Sequence, residues 1–316
     1  MENSLTNKWF TIVNPNAGNG KGQKDWSRIN DLLKKNEIET TVKFTGKKGD
    51  AIEFTREAVS NGYRKFISVG GDGTLNEIVN GAFAQDNCSP GDLLLAMIPV
   101  GTGNDWGRMF SIPLVYEGAV RVIKEGRQMS HDIGIIDYYN GETREKRYFI
   151  NIAGLGFESL VVKKTNRQKD KGNNSKAIYF YNLLSSLLSW RHTNADIVID
   201  GKKTSCRIFS INVGNGRYCG GGMRQTPEAL PDDGLLDITV IKEMSRIDVI
   251  RSLKLLYDGT ILSHPKVDGY RTTEMSVTSD SLLHIEADGE SLGHTPAQFG
   301  ILPSAINIVY GSRIIH

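Results

Sequence analysis

An α/β domain followed by a mainly antiparallel β domain is the fold class this 316-residue sequence predicts, on three observations. Over the first ~130 residues, short apolar segments alternate with segments of helical apolar spacing, the mark of a parallel sheet covered on both faces. From about Ile133 onward the texture becomes strand-like runs at hairpin or meander spacing, broken by two helical stretches. The 34 glycines, about a dozen above an average share, show no three-residue period, and with 9 prolines they exclude collagen-like and low-complexity chains.

Taken in order, Trp9–Val13 reads as a strand and Trp26–Lys35 as a helix, with Trp26, Ile29, Leu32 and Leu33 at helical spacing. Glu39–Phe44 follows as a strand, Asp50–Asn61 as a helix and Phe66–Val69 as a buried strand. The segment after Gly73 carries Leu75, Ile78, Val79 and Ala82 on one helical face. Leu93–Ile98 is another buried strand and Leu114–Glu125 another helix. In the second half, Tyr148–Ala153, Asp196–Asp200, Cys206–Val213, Leu236–Ile241, Ser276–Thr278 and Leu282–Ala287 read as strands. Lys176–Trp190 and Ile247–Leu256 read as helices. The expected boundary lies near Gly134, giving domains 1–133 and 134–302, with 303–316 a candidate to return to the first. No Pro- or Ser-rich linker separates them.

The balance of 38 basic and 36 acidic residues leaves a formal charge of +2, which argues against a nucleic-acid binder. Cys88, Cys206 and Cys219 form no CxxC pair and cannot all pair with one another, which points to a reducing compartment. The N-terminus lacks a basic start and an apolar run, and Leu93–Pro99 is far short of the ~20 residues of a spanning helix. These features suggest a soluble, cytoplasmic protein.

Many glycines fall just after strands. Asn14-Pro15-Asn16-Ala17-Gly18-Asn19-Gly20-Lys21-Gly22 joins a strand to a helix, where small residues let backbone amides approach an anion. It matches neither a Walker A loop nor a dinucleotide fingerprint. Val69-Gly70-Gly71-Asp72-Gly73-Thr74-Leu75-Asn76-Glu77 is sharper: three glycines in four positions exceed what a turn needs, Asp72 could hold Mg²⁺ directly or through water, and Thr74 could donate to a phosphate. Pro99-Val100-Gly101-Thr102-Gly103-Asn104-Asp105-Trp106 ends a third buried strand. Ligands of open parallel sheets bind at such strand ends, so the three turns are expected to converge on one site.

Together, Gly70–Asn76 with Glu77-Ile78-Val79-Asn80-Gly81, and Gly101-Thr102-Gly103-Asn104-Asp105, resemble the diacylglycerol kinase catalytic-domain family, most closely its bacterial soluble lipid kinase branch. Gly220-Gly221-Gly222, Pro227–Asp237 and Asp288-Gly289-Glu290 look like that family's later landmarks, so the resemblance spans roughly residues 8–311. It implies a Rossmann-like, NAD kinase-like first domain, a β-sandwich second domain that takes the lipid, and an active site in the cleft between them.

It further implies an ATP- and Mg²⁺-dependent transferase acting on a lipid alcohol, in lipid metabolism and phospholipid biosynthesis. By the resemblance, Asn14, Pro15, Asn16, Ala17, Gly18, Thr45, Gly70, Gly71, Asp72, Gly73, Thr74, Leu75, Asn76 and Thr102 contact the nucleotide. Asp72, Asp105 and Asp132 organise the catalytic Mg²⁺ and its waters, and Glu290 is the general base. Leu230 and Leu235, through their carbonyls, and Asp233 hold a structural Mg²⁺. Some relatives carry Lys where this chain has Asn19; Lys21 is the nearest cation.

Lys163, Lys164, Arg167, Lys169, Lys171 and Lys176 precede an aromatic, Leu-rich stretch ending at Trp190. This fits either a surface resting on an anionic bilayer, peripheral to the inner face of the membrane, or a mobile charged loop leading into a helix packed on the β domain. The six histidines lack metal-ligand spacing, and His131 reads as a loop residue. A lipid alcohol, a membrane surface and a second copy of the chain are the candidate partners. Two rival functions share the motifs: an NAD kinase-like enzyme, and a non-catalytic lipid-binding regulator.

Overall fold

The computed structural model describes residues 5–101, 103–169 and 176–311. It divides into two compact units, one running to Ile133 and resuming at Pro303, the other Gly134–Leu302. The chain is of mixed α/β class, an α/β region followed by a β-rich one.

The first unit contains β1 (Trp9–Val13), α1 (Ala17–Lys24), α2 (Trp26–Lys35), β2 (Thr40–Phe44), α3 (Asp50–Ser60), β3 (Lys65–Gly70), α4 (Asp72–Phe83), β4 (Leu94–Pro99), α5 (Asp105–Met109) and α6 (Tyr116–Glu125). Strands β1, β2, β3 and β4 pair in parallel in the order β4-β3-β1-β2. Every residue of β4 is buried, and Phe66, Ile67 and Val69 of β3 are fully so, as a sheet covered on both faces requires. The chain moves from β1 outward to β2, then returns to the other side of β1 with β3. The order therefore reverses beside β1, the topological switch point at which such sheets bind ligands. Helix α6 starts at Tyr116 and not at Leu114, because Val115 is extended and Leu114 is exposed to solvent after Pro113.

Strand β5 (Gln128–Asn140) carries the chain into the second unit. There follow β6 (Thr143–Phe149), β7 (Ile152–Gly156), α7 (Phe157–Lys169), α8 (Lys176–Ser189), β8 (Thr193–Ile199) and β9 (Lys202–Gly214). A short hairpin, β10 (Tyr218–Cys219) and β11 (Met223–Arg224), precedes β12 (Leu236–Lys242), α9 (Arg246–Asp258), β13 (Val267–Thr272), β14 (Glu274–Ser279), β15 (His284–Ala287) and β16 (Glu290–Val309). Pairing is antiparallel throughout, in the order β13-β12-β9-β7-β15-β16, while β8 bridges β9 and β14. Leu155, Ile211, Val213, Ile238, Val277, Ile285 and Phe299 form its core. A second cluster packs Phe157 and Val161 of α7 and Leu183 and Leu187 of α8 on Phe209, Ile241 and Val249.

Three features depart from the sequence expectations. The strand expected over Tyr148–Ala153 is two strands, broken where the Asp288 carboxylate accepts the Ile150, Asn151 and Ile152 amides (2.8, 3.0 and 3.1 Å). Residues 157–169 form a helix, so Lys163 and Lys164 sit on α7 and not on a charged loop. The last long strand, β16, contains Gly293, Pro296, Gly300 and Pro303, which read as breakers. From Pro303 it rejoins the first unit, where Asn307 and Ile308 pair in parallel with Leu94 and Leu95.

Candidate active site

Three glycine turns meet at the carboxyl ends of β1, β3 and β4. The first bends because Gly18, Asn19 and Gly20 adopt left-handed backbone (φ 61, 60 and 83°), which interrupts α1 near its start. A side chain at Gly18 would collide with the Val100 carbonyl, 2.1 Å from where its Cβ would stand, so the turn after β1 lies on the turn after β4. The second and third turns are equally close: a Cβ on Gly101 would stand 2.8 Å from the Gly71 α-carbon. Backbone bonds from Val100 and Gly101 to the Gly70 carbonyl (2.8 and 3.1 Å), and from Asn14 to Val69 (2.9 Å), tie them together.

Asp72 stands at the middle of this convergence. Its Oδ2 accepts the Asp105 amide and its Oδ1 the Trp106 amide (3.1 and 3.2 Å), so it caps the start of α5. Asn104, in left-handed conformation, donates from Nδ2 to the Gly101 carbonyl (2.6 Å) and sets the approach to that helix. The Asp72 and Asp105 carboxylates flank bare Gly103: a Cβ there would be 3.4 and 3.7 Å from their Oδ2 atoms. Asp105 is buried, with Arg108 Nε at 3.6 Å from its Oδ1. Two neighbouring carboxylates are the kind of oxygen donors that Mg²⁺ takes from a protein, its other positions going to water and phosphate. Because both Asp72 oxygens already accept amides, that residue fits a role through metal-bound water better than one as a direct ligand.

Other expected residues fall around this core in different ways. Asn14 donates from Nδ2 to Thr74 Oγ1 (3.3 Å), leaving the Thr74 hydroxyl proton free to point elsewhere, and the Thr45 amide bonds the Val13 carbonyl (2.9 Å) at the end of β1. Leu75 and Asn76 are fully buried in α4, with Asn76 Oδ1 accepting from Asn80 (3.2 Å). Their side chains serve the core. Glu77 caps α3, accepting the Gly49 and Ala51 amides (2.9 and 3.2 Å). Thr102 lies outside the described residues.

Asp132 is fully buried and its Oδ1 accepts the Ser304 amide (2.6 Å), so it also anchors the returning strand. His131 is not a loop residue: it is buried in β5, accepts Trp106 Nε1–H at its Nε2 (3.3 Å) and donates from Nδ1 to the Asp132 carbonyl. Burial lowers its pKa to about 4, so the ring is neutral. It packs with Phe110 and Trp106 beneath α5.

In the second unit, Glu290 follows the left-handed pair Asp288-Gly289 at the tip of the β15–β16 hairpin, paired with Ala287. Of the expected structural Mg²⁺ set, the Asp233 carboxylate has partners within the protein. Asp233 accepts the Leu235 amide at Oδ1 (3.0 Å), and its Oδ2 is bonded by Arg271, which also stands 3.5 Å from Asp237 Oδ2. Burial pushes the Asp237 carboxyl up to about 6 against the pull of Arg271. Among the described residues no cluster of three or more His, Cys, Asp or Glu side chains is arranged to hold a metal.

Of the basic stretch, Lys171 lies outside the described residues. Leu188 of α8 and Ile247 and Ile250 of α9 are exposed, and Arg246 donates to the Leu188 carbonyl (2.7 Å). Beside them a pocket of about 500 Å³ is lined by Leu187, Trp190, Phe209, Met244 and Lys266. Among the described residues no helix is long and apolar enough to cross a membrane.

Sequence reasoning passed over two acids of the second unit, Glu286, which is buried, and Glu158, which is half-buried. The sign of Glu286 in the sequence is an acid between two apolar residues, Ile285 and Ala287, of a short strand.

Residues 8–136 match the Diacylglycerol kinase catalytic domain, and residues 151–310 match the YegS C-terminal NAD kinase beta sandwich-like domain. A diacylglycerol kinase of Staphylococcus carnosus (strain TM300) is 29% identical over 297 residues, 94% of this chain and 93% of that protein. One of Staphylococcus aureus (strain MRSA252) is 29% identical over 305 residues, 96% and 93% of the two. The crystal structure of a diacylglycerol kinase from Bacillus anthracis str. Sterne superposes with a TM-score of 0.73 at 23% identity, covering 98% of each chain. Yeast NADH kinase shares the fold more distantly, with a TM-score of 0.56 at 11% identity over 98% of this chain and 85% of that one.

Proposed function

Since the chain belongs to the family that joins a diacylglycerol kinase catalytic domain to a YegS-type C-terminal domain, we propose that it is an ATP-dependent lipid kinase. It would pass the γ-phosphate to a hydroxyl of a membrane lipid, diacylglycerol or a related lipid alcohol. The observation that carries this reading is the convergence of the three glycine turns around Asp72 at the switch point of a parallel sheet. Backbone without side chains, rich in amides, is what a triphosphate needs.

The chain's own groups divide the work. The turn Asn14–Gly18 would line the phosphates, with the Gly18 amide and those of Gly71–Gly73 to orient them and Thr45, Thr74 and Thr102 as hydroxyl donors. Asp72 and Asp105, with Asp132 behind them, would organise Mg²⁺, which when bound neutralises the developing phosphate charge. Glu290 takes the lipid hydroxyl proton as the new O–P bond forms and ADP departs with the electrons of the broken bond.

A separate structural Mg²⁺ is proposed at the Leu230 and Leu235 carbonyls and the Asp233 carboxylate, where it would take the place of the Arg271 guanidinium on Asp233 Oδ2. Membrane contact is proposed along Leu188, Ile247 and Ile250, next to the pocket beside α8.

Radiolabelled ATP with a fractionated lipid panel tests the reading, products being identified by mass. A phosphorylated lipid is expected. Phosphorylation of NAD in place of any lipid would favour the NAD kinase-like reading, for which only fold likeness speaks. Lipid binding without ATP turnover would make the protein a regulator.

A further inference from the structure

The buried acids of the second unit have a definite arrangement. Glu286 of β15 lies directly opposite Gly154 of β7, and Gly154 opposite Asn212 of β9, so Glu286 and Asn212 flank a residue with no side chain. Glu158, from the first turn of α7, fills the space above it. A Cβ on Gly154 would stand 3.0 Å from Glu158 Oε2, 3.0 Å from Glu286 Oε1 and 3.5 Å from the Asn212 amide oxygen. The two carboxyl groups therefore lie within the ~6 Å over which like charges oppose each other's ionisation.

Their partners differ. Glu158 Oε1 accepts from Gln225 Nε2 (2.6 Å), and Asn212, with its amide turned to face the acid, donates to both Glu158 oxygens, 3.2 Å to Oε1. Glu286 Oε2 accepts the Gly289 amide (2.9 Å), while its buried Oε1 has no hydrogen-bond partner among the described residues. The amide donors thus make Glu158 the first of the two to ionise, and the last proton belongs on Glu286. Burial pushes the Glu158 carboxyl up to about 8; burial and then the Glu158 charge hold Glu286 well above the usual carboxylate range.

What Glu286 holds is the turn that carries Glu290. Gly289 is gripped at its N–H by Glu286 and at its carbonyl by Asn166 of α7 (3.0 Å). Asp288 is fixed by three backbone amides. We propose that Glu158 and Glu286 form a buried acid pair sharing one proton, and that Glu286 is a positioning residue that sets Glu290 through the Gly289 amide. The charged groups facing Glu286 are Glu158 from α7, and Asp288 and Glu290 from the turn itself. A second ionisation would leave adjacent uncompensated charges beneath that turn and loosen it, so phosphoryl transfer should decline on the alkaline side.

This rests on Glu290 acting as base in the proposed reaction, and the tests separate the two. In the full-length protein, Glu286→Leu removes the acceptor for Gly289, whereas Glu286→Gln keeps an acceptor of the same length. Glu286→Leu should lower kcat by tenfold or more with KM for ATP unchanged, Glu286→Gln should recover much of that loss, and its alkaline decline should be shallower. Equal kcat in the wild type and both variants would overturn the positioning role. Amide exchange at Gly289 needs no activity: it should quicken in Glu286→Leu and not in Glu286→Gln, and unchanged exchange would count against the proposal even if the wild type phosphorylates lipid. Infrared spectra at neutral pH should show the carbonyl stretch of a protonated carboxylic acid, lost in Glu286→Gln; its absence from the wild type would overturn the shared proton. A wild type inactive on every lipid would sink the kinase reading, and the exchange and infrared measurements would still decide the acid pair.

Discussion

The two units handle buried polarity in opposite ways. The first keeps its reactive groups at strand ends, where glycine turns leave the backbone open, and its buried titratable ring, His131, is a base held neutral. The second sets two acids side by side, Glu286 of β15 and Glu158 of α7, both raised above the usual carboxylate range by burial. A parallel sheet gathers its loops at one edge, so polar function collects there at little cost to the core. An antiparallel sheet offers no such edge. A polar group that must reach a hairpin tip there is carried on the inward row of a strand, at the expense of burial.

The sharpest test of that contrast is the tip itself. Glu290→Gln should lower kcat by about 10²–10⁴, the range for a lost general base, with the unfolding temperature unchanged. Asp72→Asn should also lower activity, and because Asp72 caps α5 it should cost about 1 kcal/mol of stability as well. If Glu290→Gln alone altered stability, the two regions would have exchanged roles.

The pH dependence should run in opposite directions in the two units. His131 has its folded pKa depressed from 6.5 to about 4, so its contribution is present above pH 6.5 and lost as pH falls towards 4, on the order of 3 kcal/mol in full. Glu158 is raised from 4.5 to about 8, so its contribution is present below pH 4.5 and lost as pH rises through 8. Urea unfolding across this range should show the acid slope flattened by His131→Gln and the alkaline slope flattened by Glu158→Gln. Parallel slopes would break the comparison.

Smaller effects follow from close packing and from Arg271. Gly18→Ala adds a Cβ at φ 61°, against the Val100 carbonyl, and should cost about 1–3 kcal/mol together with a raised KM for ATP. Arg271→Ala leaves Asp233 and Asp237 without their cation. Mg²⁺ should then raise the unfolding temperature by a few degrees more than it does in the wild type, on the order of 1 kcal/mol of linkage. A wild type whose melting a chelator leaves unchanged would count against the structural Mg²⁺.

Much of this was legible in the sequence, for identifiable reasons. Buried parallel strands read as continuous apolar runs, and glycines spaced within a few residues of strand ends are local signals, so Gly18, Gly70–Gly73 and Gly101 announced the site. The Asp72 cap on α5 depends on a partner 33 residues away, and the Asp132–Ser304 bond on one 172 away. No local pattern records such pairs. Helix α7 was hidden because its lysines resemble a solvated loop, and β16 because its glycines and prolines are tolerated by register and not by propensity. Glu158 and Glu286 meet only because Gly154 sits between them in the sheet.

Strand β16 has a consequence for how the protein is made. Its final segment supplies the strand beside β4, so the first 133 residues leave the ribosome with a sheet one strand short. Until residue 309 is synthesised, β4 presents an open ladder of unpaired amides and carbonyls, the kind of edge that invites pairing with another chain. The nascent nucleotide unit must wait for the whole β-rich unit to emerge, and a fragment ending before Pro303 should aggregate where the full chain does not.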